Sequence, residues 1–143
     1  MPYRFLKDIA TADVAFEAWG ETREELFIVC AAALLRTMVE EPEEVQRLDE
    51  LTISVKHEAL DLLLYSFLEE LVFYKDARRL LLHADQVMIS GEEGAFSLEA
   101  IVRGEEITPL RHSMLVDVKA VTLYKFKVFH DENVWKANII LDV

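Results

Sequence analysis

Two helical stripes must cover a chain that is otherwise almost all strand, and this imbalance constrains the fold most. The first helix opens at Thr22, with Glu25 three residues later completing a capping box. Leu26, Cys30, Ala33, Leu34 and Met38 then recur on one face, widened by Phe27, Ala31 and Leu35, and predict a helix to about Glu40 with Pro42 as its stop. The second stripe is Leu60, Leu63, Leu64, Phe67, Leu68 and Leu71, predicting a helix from about Glu58 to Asp76 without a clean cap. Strand patterns fill most of the rest: Tyr3–Lys7, Val14–Trp19, an alternating segment through Leu51, Ile53 and Val55, then Leu80–Ser90, Phe96–Val102, Leu115–Phe129 and a closing strand through Trp135, Ala137, Ile139 and Leu141. The order is ββαβα followed by four strands. Two helices cover one face of so large a sheet, so the sheet must curl or split to protect the other. The expected architecture is a single α+β domain over residues 1–143, a curled and mostly antiparallel sheet with two helices packed on one side.

Charge narrows the partners. Fifteen Lys and Arg against 27 Asp and Glu give a formal net charge of −12. Such a field repels a phosphate backbone and attracts a basic protein surface or a metal cation. Little or no direct nucleic-acid binding is therefore expected, although the charge also serves simple solubility. No run of 18 apolar residues is present, and the opening MPYRFLKDIA lacks the pattern of a secretory leader, so a membrane span is not expected. Cys30, the one cysteine, lies in an apolar helical run and reads as a buried inert thiol. A cytoplasmic location fits these features.

No short motif for a known reaction is present, and the four glycines are isolated. His57, His83, His112 and His130 are not spaced as metal ligands. His112, beside Arg111 in the polar stretch Thr108–Ser113, has the best functional case, with a solvated loop histidine as the simpler reading. Ser113 has no placed base, which argues against a Ser–His hydrolase. Asp117 and Lys119 share a strand face that Lys125 and Lys127 extend if no bulge intervenes; these lysines either pair with sheet carboxylates or hold a ligand phosphate. Asp13 begins one strand and Asp142 ends another, with the α-carboxylate of Val143 beside it. Each alone reads as a solvated strand end. If the two ends meet at a sheet rim, three carboxylates converge and call for a hard cation, Ca²⁺, Mg²⁺ or Mn²⁺.

At this level the chain resembles the archease family, small accessory proteins of the tRNA-splicing RNA ligase. The resemblance is carried by Tyr3-Arg4-Phe5-Leu6, Thr11-Ala12-Asp13, Ala18-Trp19-Gly20, Glu24-Glu25-Leu26-Phe27 and Ala31-Ala32-Ala33-Leu34. It continues through Leu62-Leu63, Phe67-Leu68-Glu69-Glu70-Leu71, Gly104-Glu105-Glu106, Val118-Lys119-Ala120-Val121-Thr122 and Ile139-Ile140-Leu141-Asp142-Val143, spanning nearly the whole chain in order. It implies a non-catalytic activator of the ligase that joins 2′,3′-cyclic phosphate and 5′-hydroxyl RNA ends, promoting guanylylation of the ligase and its repeated turnover. It also implies a divalent metal held by Asp13, Asp142 and Val143, with a contact role for Glu40; Lys119, Arg111 and His112, singled out from the residues themselves, are further candidates for positions behind those ligands or facing the partner. The sequence departs from the family where a histidine often precedes Thr-Ala-Asp (Ala10 here), where Tyr-His commonly follows Lys-Ala-Val-Thr (Leu123-Tyr124), and where Met-Thr-Asp closes the first helix (Met38-Val39-Glu40). These departures leave the carboxylates intact. Two other functions compete: a metal-assisted hydrolase using the same carboxylates, and a general protein-binding chaperone.

Overall fold

The computed structural model describes residues 2–6 and 13–143. Strands β1 (Tyr3–Leu6) and β2 (Asp13–Gly20) precede helix α1 (Arg23–Met38), and a short 3-10 turn at Pro42–Glu44 leads to β3 (Asp49–His57). Helix α2 (Leu60–Arg78) is followed by β4 (Leu80–Glu92), β5 (Ala95–Glu106), β6 (Ala120–Asp131) and β7 (Val134–Asp142). The order is the expected one. Of the two ways to protect a large sheet, the chain takes the split. Four strands pair as β1-β2-β7-β6 and three as β3-β5-β4, all antiparallel. Each helix touches both sheets, α1 chiefly at β4 and β2 and α2 at β6 and β3. One buried cluster joins Phe16, Phe27, Phe67, Leu98 and Ile139 across all these elements.

Local chemistry sets most boundaries. Thr22 adopts the extended cap conformation, and its hydroxyl accepts the Glu25 N–H at 3.0 Å. Helix α1 ends at Met38 rather than near Glu40, because Val39 turns extended and bridges to Met114. Helix α2 begins at Leu60 with no side-chain cap and ends at Arg79, in the left-handed region at φ 53°. No helix is long and apolar enough to cross a membrane among the described residues. Gly104 is required where it stands: a Cβ there would lie 1.7 Å from the Leu81 carbonyl oxygen. The last hairpin closes with Glu132 and Asn133, both at positive φ, matching the twist of its strands. Lys7, at the end of the expected first strand, and Ala10, Thr11 and Ala12 of the family stretch lie outside the described residues.

The expected strand Leu115–Phe129 needs the largest correction. Residues 115–119 form no strand, and β6 starts at Ala120. Other groups take the hydrogen bonds of this segment. The Leu115 N–H donates to the Met38 carbonyl at 2.8 Å, and the Lys75 ammonium donates to Asp117 at 2.7 Å and to the Val118 carbonyl at 2.6 Å. A large bulge also separates Thr122, opposite Ile140, from Lys127, opposite Asn138, and puts Lys125 at φ 55°. Lys119, Lys125 and Lys127 therefore do not share one regular strand face.

Lys75 is 4% exposed and continues the buried stripe of α2 one turn past Leu71. Burial alone would lower its pKa, but the hydrogen bonds it donates to Asp117 and Asp76 outweigh this and hold it above the ordinary lysine value. Both carboxylates reach solvent, so removing the ammonium strands no buried anion. Lys75→Met does, however, leave the buried Val118 carbonyl without its donor, so it should cost about 1–3 kcal/mol, while hydrogen exchange at the Lys119 amide quickens as the segment loses its anchor. Urea unfolding and exchange measured together check both halves of this expectation.

Candidate functional site

Strand register joins the two ends of the sequence. Asp13 lies directly across from Asp142 where β2 pairs with β7, and Asp142 in turn faces Ala120 of β6. Directly opposed residues of an antiparallel pair point to the same side, with Cβ atoms about 5 Å apart. Val14, Phe16, Ile139 and Leu141 pack in the core beneath the helices, so the two aspartates point to the opposite face. Both are partly buried. The Lys119 N–H donates to the Asp142 carbonyl at 2.8 Å and fixes the end of β7.

Two carboxylates facing each other repel by about 1 kcal/mol or more, depending on local screening. A cation between them relieves this, and their hard oxygens suit Ca²⁺, Mg²⁺ or Mn²⁺. Among the described residues, no group of three or more His, Cys, Asp or Glu side chains is gathered for a metal. The pair thus offers two carboxylates, with the partly buried Val143 next along the chain as a further oxygen source. The donor chemistry fits a hard divalent ion with several coordination positions left to water or a partner.

The remaining expected residues do not join this pair: among the described residues, none of Glu40, Arg111 or His112 makes a hydrogen bond or ion pair to Asp13 or Asp142. Glu40 is tied to Ser113, through its own N–H to the Ser113 carbonyl at 2.9 Å and through its carboxylate to the Ser113 hydroxyl at 3.2 Å. Lys119 reaches Asp142 by its backbone, and its side chain is exposed.

His112 is not the solvated loop histidine expected from its polar neighbours; it is 2% exposed. Its Nδ1 accepts the Thr108 N–H at 2.9 Å, which leaves the Nε2 proton to donate to Glu105 at 3.0 Å. Glu105, at the end of β5, also accepts from the Arg111 guanidinium and from the Gln46 N–H at 2.6 Å. Arg111 leads in holding the Glu105 carboxyl at about 2, against the opposing effect of burial and with help from the Gln46 N–H and His112. The sequence singles out His112 beside Arg111 and, separately, the Gly104-Glu105-Glu106 stretch, with no sign that they meet. Glu105 and its partners come from three segments, the end of β5, the loop with Arg111 and His112, and the stretch at Gln46, that no local pattern connects. Cys30 is fully enclosed, and burial pushes its thiol pKa up, as suits an inert core residue.

Fold and site together define a single-domain α+β protein of two antiparallel sheets and two helices, with paired carboxylates at one sheet rim. The model of the Archease protein family (MTH1598/TM1083) matches residues 3–143, and the chain belongs to the archease family. Protein archease of Pyrococcus furiosus is 33% identical over 134 residues, covering 93% of this chain and 94% of that protein. Its counterpart from Methanopyrus kandleri is 31% identical over 133 residues, covering 93% and 94%. The solution structure of protein 1598 of Methanobacterium thermoautotrophicum superposes with TM-score 0.85 at 30% identity, covering 99% of each chain. A crystal structure from Thermotoga maritima, described as an archease and possible chaperone, agrees in fold with TM-score 0.63 at 19% identity, covering 98% of each chain.

Proposed function

We propose that this protein is a non-catalytic activator of a tRNA-splicing RNA ligase, promoting guanylylation of the ligase and its multiple turnover. In this reading Asp13, Asp142 and Val143 hold a divalent cation at the sheet rim. Membership in the archease family and the register that sets Asp13 against Asp142 support it. The second observation carries the site, since two isolated strand-end carboxylates had no reason to oppose each other. With two protein carboxylates, the cation retains positions for water or for oxygen atoms of the ligase. The acidic surface suits a partner with basic patches. The expected effect is on the number of ligations each ligase molecule completes. Mixing limiting cognate ligase with GTP, metal and this protein, then counting joined RNA ends per ligase, tests it; turnover unchanged by the protein overturns the proposal.

One observation favours a general chaperone as the second reading. Leu110 is 100% exposed, and Met114, Leu115 and Val116 are exposed beside it. Suppression of aggregation of unrelated proteins, without a specific effect on ligase, supports that reading over the first.

A further inference from the structure

Strand β1 ends the four-stranded sheet, and its outer edge is unpaired among the described residues. Trp19 donates its N–H to the Pro2 carbonyl at 2.9 Å, and backbone groups in an antiparallel pair turn alternately towards and away from the partner strand. Tyr3 and Phe5 therefore aim their N–H and C=O groups outward. Their side chains lie on the helix side, opposite the core residues Ala18 and Phe16. Beside this edge runs a cavity of about 520 Å³. Tyr3 forms one wall, Ile28, Val29 and Ala32 of α1 supply apolar surface, and Glu40 and Glu43 line it beyond the helix C-terminus.

That end of the groove is strongly negative. Glu40, Glu41, Glu43 and Glu44 are all exposed, and none makes an ion pair among the described residues. Their crowding is felt at Glu41, whose carboxyl is held above the ordinary glutamate value by a hydrogen bond to Glu44 and by the charges of Glu44, Glu43 and Glu40. Of the nearby cations, Arg111 is already paired with Glu105. Arg36, in the groove lining, is a single guanidinium against four carboxylates. An open strand edge, an apolar groove and an acidic end together specify an occupant. A segment that takes up the outward N–H and C=O groups must be extended, lying about 4.8 Å from β1. Its alternate side chains enter the groove and must be apolar, and those that reach Glu40–Glu44 must be Lys or Arg. A second copy of the chain brings its own net charge of −12 and is repelled.

We propose that β1 and the groove beside α1 take an extended, basic and apolar segment of a partner protein, added to the sheet as a fifth strand. Main-chain hydrogen bonds to Tyr3 and Phe5 and apolar burial against Ile28 and Ala32 hold it, and the glutamates select for cationic flanks. The chain's negative field speeds the encounter, which slows as salt is raised. The groove shares no lining residue with the Asp13–Asp142 pair. Binding here is independent of a cation between those aspartates and of the ligase reading.

The experiment is fluorescence anisotropy of the labelled octapeptide KKVTVTKK titrated with the full chain at low salt, with amide exchange at Tyr3 and Phe5 followed by NMR. Saturable binding is expected, with slower exchange at both amides as they donate to the peptide. KKSTSTKK keeps the charge and EEVTVTEE keeps the alternation; each should bind at least about tenfold more weakly. Ala32 is an exposed helix position in the groove wall. Ala32→Trp fills the groove and should weaken binding about tenfold or more while the melting temperature stays near that of the wild type. Glu41→Lys with Glu43→Lys should weaken it to a similar degree, about tenfold. Glu92→Lys with Glu93→Lys makes the same change of net charge at the exposed end of the β4–β5 hairpin and should leave affinity within about twofold. Absence of saturable binding, or binding that leaves exchange at Tyr3 and Phe5 unchanged, overturns the proposal. So does KKSTSTKK binding as tightly as KKVTVTKK while Ala32→Trp has no effect, because that pattern identifies diffuse attraction to an acidic surface instead.

Discussion

Asp13→Asn and Asp142→Asn should each abolish stimulation of the cognate ligase while leaving the fold intact. Either change removes half of an opposed carboxylate pair at a rim, where little apolar packing is involved. Each should also reduce repulsion in the metal-free protein, leaving it as stable as the wild type or more so by up to about 1 kcal/mol. The signature appears when metal is added. A cation that binds only the folded wild type at a hundred times its Kd contributes about 2.7 kcal/mol. For a domain of this size that corresponds to a rise in Tm of roughly 5–10 °C. Neither variant should show that rise. Melting curves with calcium, magnesium and manganese, run beside ligase turnover, separate loss of metal from loss of fold. If a variant gains as much as the wild type on adding metal, or still stimulates fully, the shared site is wrong.

How far the sequence could be read depended on the range of each signal. The Thr22–Glu25 box and the stripes from Leu26 to Met38 and from Leu60 to Leu71 are local, and both helices formed where they predicted. Boundaries moved where distant partners intervened: Val39 left the helix to bridge Met114, a pairing with no trace near residue 39. The bulge in β6 was invisible in position because Lys125, not glycine or asparagine, takes the left-handed conformation. Asp13 and Asp142 were recognisable as strand-end carboxylates, but their meeting depends on β2 pairing with β7 from opposite ends of the chain. Lys75 was legible in principle, since a charge one turn past Leu71 on a buried stripe must find partners. Asp76 was its neighbour in sequence, whereas Asp117 and Val118 become partners only through the fold.

Glu105→Ala should destabilise the protein by about 3 kcal/mol at neutral pH. The Glu105 side chain is only 5% exposed and holds three segments together. It accepts from Arg111 and His112 in the loop after β5 and from the Gln46 N–H beyond the 3-10 turn, while Arg111 also donates to the Glu44 carbonyl at 2.9 Å. Arg111 is 39% exposed, so its guanidinium rehydrates and its share of the loss is screened. The His112 ring and the Gln46 N–H have less recourse, and they account for much of the cost. The sign of the pH dependence follows from the carboxyl being held near 2, below the ordinary glutamate value of 4.5. The unfolded chain takes up this proton first, so the stabilisation is complete above pH 4.5 and is lost as pH falls towards 2. Glu105→Gln keeps the shape without the charge and should cost less at pH 7, about 1–2 kcal/mol. Urea unfolding of wild type and both variants at pH 7, 4.5 and 3 measures these terms. The gap between wild type and Glu105→Gln should narrow at the lowest pH. A gap that stays constant would show that the charge of Glu105 contributes nothing and that its role is packing alone.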